Sequence, residues 1–267
     1  MNYYIQIRKK IFSLGLLFII IIAISYSFEA SAADISNSFN DALKASKNGD
    51  FSKAIILWDQ ILESSPNEAS AWSNRGNVRL ALGDPDGAIS DQNMAINLLP
   101  DQLDAYLNRG MAQELLHNWK EAENDYQFIL KRDPGNPYAL YNLGNIKGSE
   151  GDWIKAEVFY KQAAQKNPSF VMARCNNALV NYQLGDISNA EIELRNLIRR
   201  YPMFADARAG LSALLWSKGS IGEAESNWAA ASGLDNRYRD REWLIEFRRW
   251  PPKPTNDLMN FLALQRT

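Results

Sequence analysis

A count of residue types already excludes most side-chain chemistry. His117 is the only histidine and Cys175 the only cysteine. A hydrolytic triad needs a base, and a zinc site needs several His or Cys ligands, so neither is expected. No G-x-x-x-x-G-K-[ST] loop or G-x-G-x-x-G turn is present to cradle phosphates. What does recur is a carboxamide. Asn40, Asn74, Asn108, Asn142 and Asn176 follow one another at intervals of 34 residues. Each carries donors and an acceptor. It can therefore pair with the backbone of an extended peptide whatever that peptide's side chains, or hydrogen-bond an adjacent helix of its own chain. Neither catalysis nor a cofactor is expected, and binding is the chemistry that remains.

A fixed interval between binding groups requires elements that repeat with it. Alanines at Ala54, Ala88, Ala122, Ala156, Ala190 and Ala224 keep the same period, and so do prolines at Pro66, Pro100, Pro134, Pro168 and Pro202. Glycines stand at Gly49, Gly83, Gly151, Gly185 and Gly219, with His117 filling the one gap. Small residues recur at Ala42, Gly76, Gly110, Gly144, Ala178 and Ser212. Six tandem units follow, from about Ile35 to about Tyr238.

Each unit reads as two helices. In "YALYNLGNIKGSE" the apolar residues have helical spacing and the run ends near Gly151, a residue suited to a left-handed C-cap. "DWIKAEVFYKQAAQKNP" starts at an Asp able to cap a helix and ends before Pro168. The small residues belong where the paired helices come closest, and Trp58, Tyr126, Tyr160, Leu194 and Trp228 fill the space beside them. His and Asn tolerate positive φ, so His117-Asn118 in place of Gly-Asp reads as structural. With no strand signal, the fold class is all-α.

The pattern resembles the tetratricopeptide repeat family, whose motif is Trp-x2-Leu-Gly-x2-Tyr, then Ala-x3-Phe, then Ala and Pro within 34 residues. Trp72, Arg75, Gly76, Ala88, Ala95 and Pro100 match it in the second unit. Leu143, Gly144, Ala156, Tyr160, Ala163 and Pro168 match it in the fourth. Arg75, Arg109 and Asn177 depart from the usual Leu, which predicts local differences in packing. The resemblance implies a right-handed α-solenoid of six helix pairs plus C-terminal capping helices. It further implies that the first helix of each pair lines a concave, peptide-binding wall. On that reading the peptide-binding residues are Asn74, Asn77, Asn108, Met111, Tyr141, Asn142, Asn145 and Asn176. Some family members clamp a C-terminal carboxylate with Lys and Arg, but Ser70, Asp104, Tyr138 and Met172 occupy those places here, so that clamp is not expected.

The N-terminus differs from the rest. Arg8, Lys9 and Lys10 precede the apolar run "IFSLGLLFIIIIAISYSF", and Ala30 and Ala32 form an A-x-A site. Residues 1–32 therefore read as a signal peptide cleaved after Ala32, or as a retained anchor. In both cases the basic cluster stays cytoplasmic and the repeats cross the membrane, to a periplasm or a thylakoid lumen. Membrane association is expected through this segment only. The formal net charge is −2, of which the first 32 residues contribute Arg8, Lys9 and Lys10 against Glu29, leaving −4 for the remainder. Nucleic acid is not an expected partner at that balance.

The last segment, 239–267, reads as capping helices. Trp243, Leu244, Phe247 and Trp250 have helical spacing suited to closing the exposed end of the last repeat. Pro251-Pro252 stops that helix, and Thr255 caps another. Arg237 to Lys253 holds six basic and three acidic residues, either a solvated cap or a face for an acidic partner or lipid headgroups. The "RRWPP" phrase resembles exported tetratricopeptide proteins of cyanobacteria and chloroplasts. The expected function is an exported adaptor that binds other proteins through its concave surface, during assembly of a membrane complex. A permanent structural subunit of an envelope or thylakoid complex, or a substrate-presenting accessory subunit of an enzyme, are the alternatives.

Overall fold

A computed structural model describes residues 37–264. The expected signal segment 1–32, the first residues of the first repeat and the last three residues lie outside that range. The helices are α1 (37–47), α2 (Phe51–Ser64), α3 (Ala69–Ala81), α4 (Pro85–Leu98), α5 (Leu103–Leu115), α6 (Trp119–Arg132) and α7 (Pro137–Ser149). They continue as α8 (Trp153–Lys166), α9 (Val171–Gln183), α10 (Ile187–Arg200), α11 (Ala205–Ser217) and α12 (Ile221–Leu234). A 3-10 turn (Asn236–Arg239), a short α13 (Arg241–Glu246) and α14 (Pro252–Leu264) complete the chain. No strand occurs among the described residues, and the fold is all-α. One compact unit runs to Asn108 and a second starts at Arg109. Each is a stack of helix pairs in solenoid order.

The turns within pairs follow one recipe. Gly49, Gly83, Gly151, Gly185 and Gly219 take φ between +76° and +91°, and His117 takes +58° in the gap of that column. The next residue caps the second helix: Asp50, Asp84, Asp152 and Asp186 accept from the N–H three residues on. Between pairs, the repeated proline supplies a carbonyl. Pro66 O accepts from Trp72 Nε1 at 2.7 Å, Pro100 O from the Tyr106 hydroxyl at 3.0 Å, and Pro202 O from Arg208 Nε at 2.7 Å. A side chain opening the first helix thus ties down the loop before it.

The Asn-Arg-Gly triplet divides its labour. Arg75 on α3 reaches Asp91 on α4 through Nε (2.9 Å) and Nη2 (2.7 Å), and Asp59 through Nη1 (2.6 Å). Arg109 makes the same two-pronged bond to Asp125, at 2.9 and 2.6 Å. Gly110 and Gly144 admit the tyrosine rings opposite: an added Cβ would stand 2.5 Å from Tyr126 and 2.6 Å from Tyr160. In the second repeat Gln92 takes that place, 2.7 Å from a Cβ at Gly76. The asparagines are left to face elsewhere.

The core of the first unit joins Ala42, Ala54, Trp58, Ile61, Leu62, Ala71 and Val78, with Phe39 edge-on to Trp58 at 4.9 Å. In the second unit the main cluster runs from Cys175 and Leu179 through Leu194 and Trp228 to Trp250 and Phe261. The C-terminal segment therefore enters the core, beyond the end-capping role expected of it. The expected single stripe is also broken. Leu244 and Trp250 are buried, but Phe247 is 70% exposed, because α13 stops at Glu246 and the chain turns at Arg249, whose φ is +58°. Thr255 is no cap: α14 begins at Pro252, and the Thr255 hydroxyl donates back to Pro251 O at 2.8 Å. Pro suits the first helical position because it has no N–H to satisfy there, while the N–H of Lys253 finds Gln183 Oε1 at 2.7 Å.

Candidate functional site

In the first unit, α3 and the first turns of α5 enclose a polar cleft of about 350 Å3, lined by Ser70, Ser73, Asn74, Asn77, Gln102, Asp104 and Asn108. Three of the expected peptide-binding residues therefore meet in one place. Their amide orientations follow from their partners. Asn74 Nδ2 donates to the carbonyl of Ser70 at 2.8 Å, which can only accept, so Oδ1 is the end left without a bond. Gln92 Nε2 donates to Ser73 O (2.9 Å) and to Asn77 Oδ1 (3.2 Å), which leaves the Asn77 amino group as a donor. Asn108 Nδ2 lies 3.5 Å from Ser73 Oγ. One acceptor and one donor on neighbouring turns of α3 are what a peptide N–H and C=O require.

The second unit treats its asparagines differently. Asn142, Asn145 and Asn176 are 8%, 8% and 3% exposed. Asn145 Oδ1 accepts from the Tyr160 hydroxyl at 2.8 Å, Asn145 Nδ2 lies 3.5 Å from Asn142 Oδ1, and Asn176 Nδ2 donates to the Tyr141 hydroxyl at 3.2 Å. Of the two readings open for these asparagines, peptide-facing or bonded to a neighbouring helix, the bonds at Asn145 and Asn176 follow the second. They join helices to one another. Tyr141 is half-buried against Phe170 and Tyr160, with ring centroids at 4.9 and 5.5 Å, and Met111 is exposed.

The segment between α13 and α14 packs back onto the repeats. Arg248 pairs with Asp206 on α11, through Nε at 2.9 Å and through Nη2, and its Nη2 also lies 3.3 Å from Met172 Sδ on α9. Trp250 Nε1 reaches the same Asp206 at 3.3 Å. Arg249 lies 3.7 Å from Glu114 and over the Trp119 ring at 5.3 Å. Burial raises the Glu114 carboxyl to about 7, against the opposing pull of the Tyr126 hydroxyl, which donates to it at 2.6 Å, and of Arg249. Arg248 and Arg249 thus meet the chain's own carboxylates, whereas Arg237, Arg239 and Arg241 are exposed. Around Arg249, His117, Trp119, Gly148, Trp153 and Trp250 border a second cleft of about 380 Å3.

Sequence reasoning missed Ser70, Gln102 and Asp104 as walls of the first cleft and Arg248 and Asp206 as a pair. The signal for the first was present. Ser70 and Asp104 stand one helical turn before Asn74 and Asn108, on the same face. Cys175 is fully buried, which pushes its thiol well above the ordinary range and leaves it inert. No helix among the described residues is long and apolar enough to cross a membrane.

Helix pairs in tandem, with polar groups gathered on first helices, define a helical-repeat fold. Residues 40–102 and 175–235 match the family model described as Tetratricopeptide repeat. The chain is a tetratricopeptide repeat protein, and such proteins are generally non-catalytic scaffolds that bind proteins or peptides. Several solved structures share the fold. A chain of the APC/C hetero-tetramer Cut9–Hcn1 aligns at 16% identity and TM-score 0.67, over 82% of this chain and 40% of that one. This chain therefore spans two fifths of that protein's length. A tetratricopeptide repeat protein from Parabacteroides merdae aligns at 16% identity and TM-score 0.58, over 86% and 98%. YrrB, described as a TPR protein with an unusual peptide-binding site, aligns at 18% identity and TM-score 0.51, over 67% and 92%. At these identities the likeness is one of fold. No curated protein matches the sequence.

Proposed function

We propose that this protein is an exported adaptor that holds extended segments of other proteins in the cleft between α3 and α5, during assembly of a membrane complex. The observation that carries the binding reading is the fixed polarity of two carboxamides. Asn74 offers an acceptor and Asn77 a donor to the cleft, each held by a hydrogen bond at its other end. A backbone amide entering the cleft pairs with both whatever side chains flank it. The peptide-binding site named for YrrB supports the same reading of a shared fold. Export rests on the basic, apolar and A-x-A pattern of residues 1–32.

One experiment addresses both parts. Native protein purified with a photocrosslinker at residue 107, in place of Leu107 beside the cleft, is expected to carry an N-terminus at Ala33. It is also expected to capture other polypeptides transiently. Stoichiometric copurification with one fixed partner would favour a permanent brace. An N-terminus inside the apolar run would favour a retained anchor.

A further inference from the structure

The repeat register lets one part of the molecule report on another. Asp206 stands three repeat lengths after Asp104, and Met172 three after Ser70. Asp206 and Met172 are the groups on α11 and α9 that hold the Arg248 guanidinium. Asp206 is 3% exposed beneath that arginine. Asp104 and Ser70 occupy the same two places on α5 and α3, and there they line the open cleft. Asp104 is exposed and forms no ion pair among the described residues, and none of the cleft's lining residues is a cation.

We propose that the cleft between α3 and α5 is an arginine subsite, which takes the guanidinium of an arginine on the bound segment of a partner protein. The proposal rests on the peptide-binding reading above and adds a side-chain requirement to it. The chemistry is complementary. A guanidinium has donors only, in a planar fork that fits a carboxylate two-pronged. Asp104 supplies the carboxylate, and the Asn74 Oδ1 left unbonded supplies a further neutral acceptor. Arg248 on Asp206 shows the bond made at this register within the same chain. The second unit fills its place with its own tail, whereas the first unit keeps its place open. Asp104 also sits in the first turn of α5, where a negative charge favours the helix dipole. That role alone would not require a polar cleft lined by no cation beside it.

The test uses the full mature chain and two fluorescent peptides of neutral, extended sequence. One has a central arginine and the other has citrulline, which keeps the shape and loses the charge. The arginine peptide is expected to bind about tenfold more tightly, an advantage that shrinks as salt is raised. Asp104→Asn should bring its affinity down to that of the citrulline peptide, with the melting temperature unchanged. If both peptides bind equally, the arginine subsite is wrong while peptide binding stands. An arginine preference that survives Asp104→Asn would place the guanidinium elsewhere and overturn the proposal. If neither peptide binds, both readings fall.

Discussion

Arg75 and Asp91, on the two helices of one repeat, meet in a two-pronged ion pair at 2.9 and 2.7 Å, with Asp91 only 1% exposed. Arg109 and Asp125 repeat the pair 34 residues on. In the next repeat Leu143 and Phe159 stand at the same two positions. A charged pair and an apolar pair therefore occupy equivalent positions on the two helices of successive repeats. Exchanging both members preserves the fold, and exchanging one strands a charge.

The first prediction follows from that exchange. Arg75→Leu leaves Asp91 buried with only Arg79 beside it at 2.9 Å, and should cost about 3 kcal/mol, as breaking buried pairs does. Adding Asp91→Phe should restore most of the loss. Denaturant unfolding of both variants checks this. A double variant as unstable as the summed singles would mean that the two fillings are not interchangeable.

Glycines divide into those that admit a neighbour and those that do not. Gly144→Ala drives a methyl to 2.6 Å from the Tyr160 ring, which is itself held by Asn145. The expected cost is about 1–3 kcal/mol, the range for overpacking. A Cβ at Gly222 in α12 meets nothing within 4 Å, so Gly222→Ala should be neutral or gain up to about 1 kcal/mol. Thermal melts should move in these directions, and equal gains would show that helix propensity, not contact, governs both.

These cases show what was legible in advance. The period of 34 located all six helix pairs, the positive φ at His117 and the close approach of Gly144 to Tyr160, because local backbone demands recur with the repeat. The Arg75–Asp91 pairing was also readable, since Leu143–Phe159 replaces both members at the same offset, though it takes comparison between repeats to see it. The course of the tail was not readable. Its contacts, such as Arg248 with Asp206, join aperiodic sequence to distant helices, and helical spacing alone cannot distinguish a stripe from a turn at Arg249. The accessible asparagines could not be told from the buried ones for the same reason, since each shares one repeat position and differs only in its surroundings.

Glu114 gives a dependence on pH. Its carboxyl is raised to about 7 in the folded chain, above the ordinary value of 4.5, mainly by burial. The folded state therefore holds a proton that the unfolded chain has released. Its contribution is fully present below the unfolded value and is lost as pH rises to about 7, by about 3 kcal/mol at about 1.4 kcal/mol per unit. Glu114→Gln keeps an acceptor for Tyr126 and cannot ionise. The stability of the native chain relative to this variant should decline between about pH 5 and pH 8. Parallel stability curves would show that Glu114 titrates as it does in water.

The asparagines allow the sharpest separation of binding from folding. Asn74 and Asn108 line the open cleft, and their amino groups bond within the first unit at 2.8 and 3.5 Å. Replacing both by Ala removes acceptors from the cleft, and the one buried partner it frees, the Ser73 hydroxyl, is held only at 3.5 Å and itself lines the cleft, so the melting temperature should hardly change. Each neutral hydrogen bond lost to a peptide is worth about 0.5–1.5 kcal/mol. The double variant should therefore bind an extended peptide roughly tenfold more weakly, and each single variant by much less. Asn142 and Asn176 should behave in the opposite way. They are nearly buried, and Asn176 holds the Tyr141 hydroxyl at 3.2 Å. Replacing them leaves unpaired groups at about 1–3 kcal/mol each, lowering stability with little direct effect on a peptide bound in the first unit. Melting curves and peptide titrations of the two double variants make the comparison. Equal stability losses in both would return Asn74 and Asn108 to the scaffold, and unchanged binding in the first would remove them from the site.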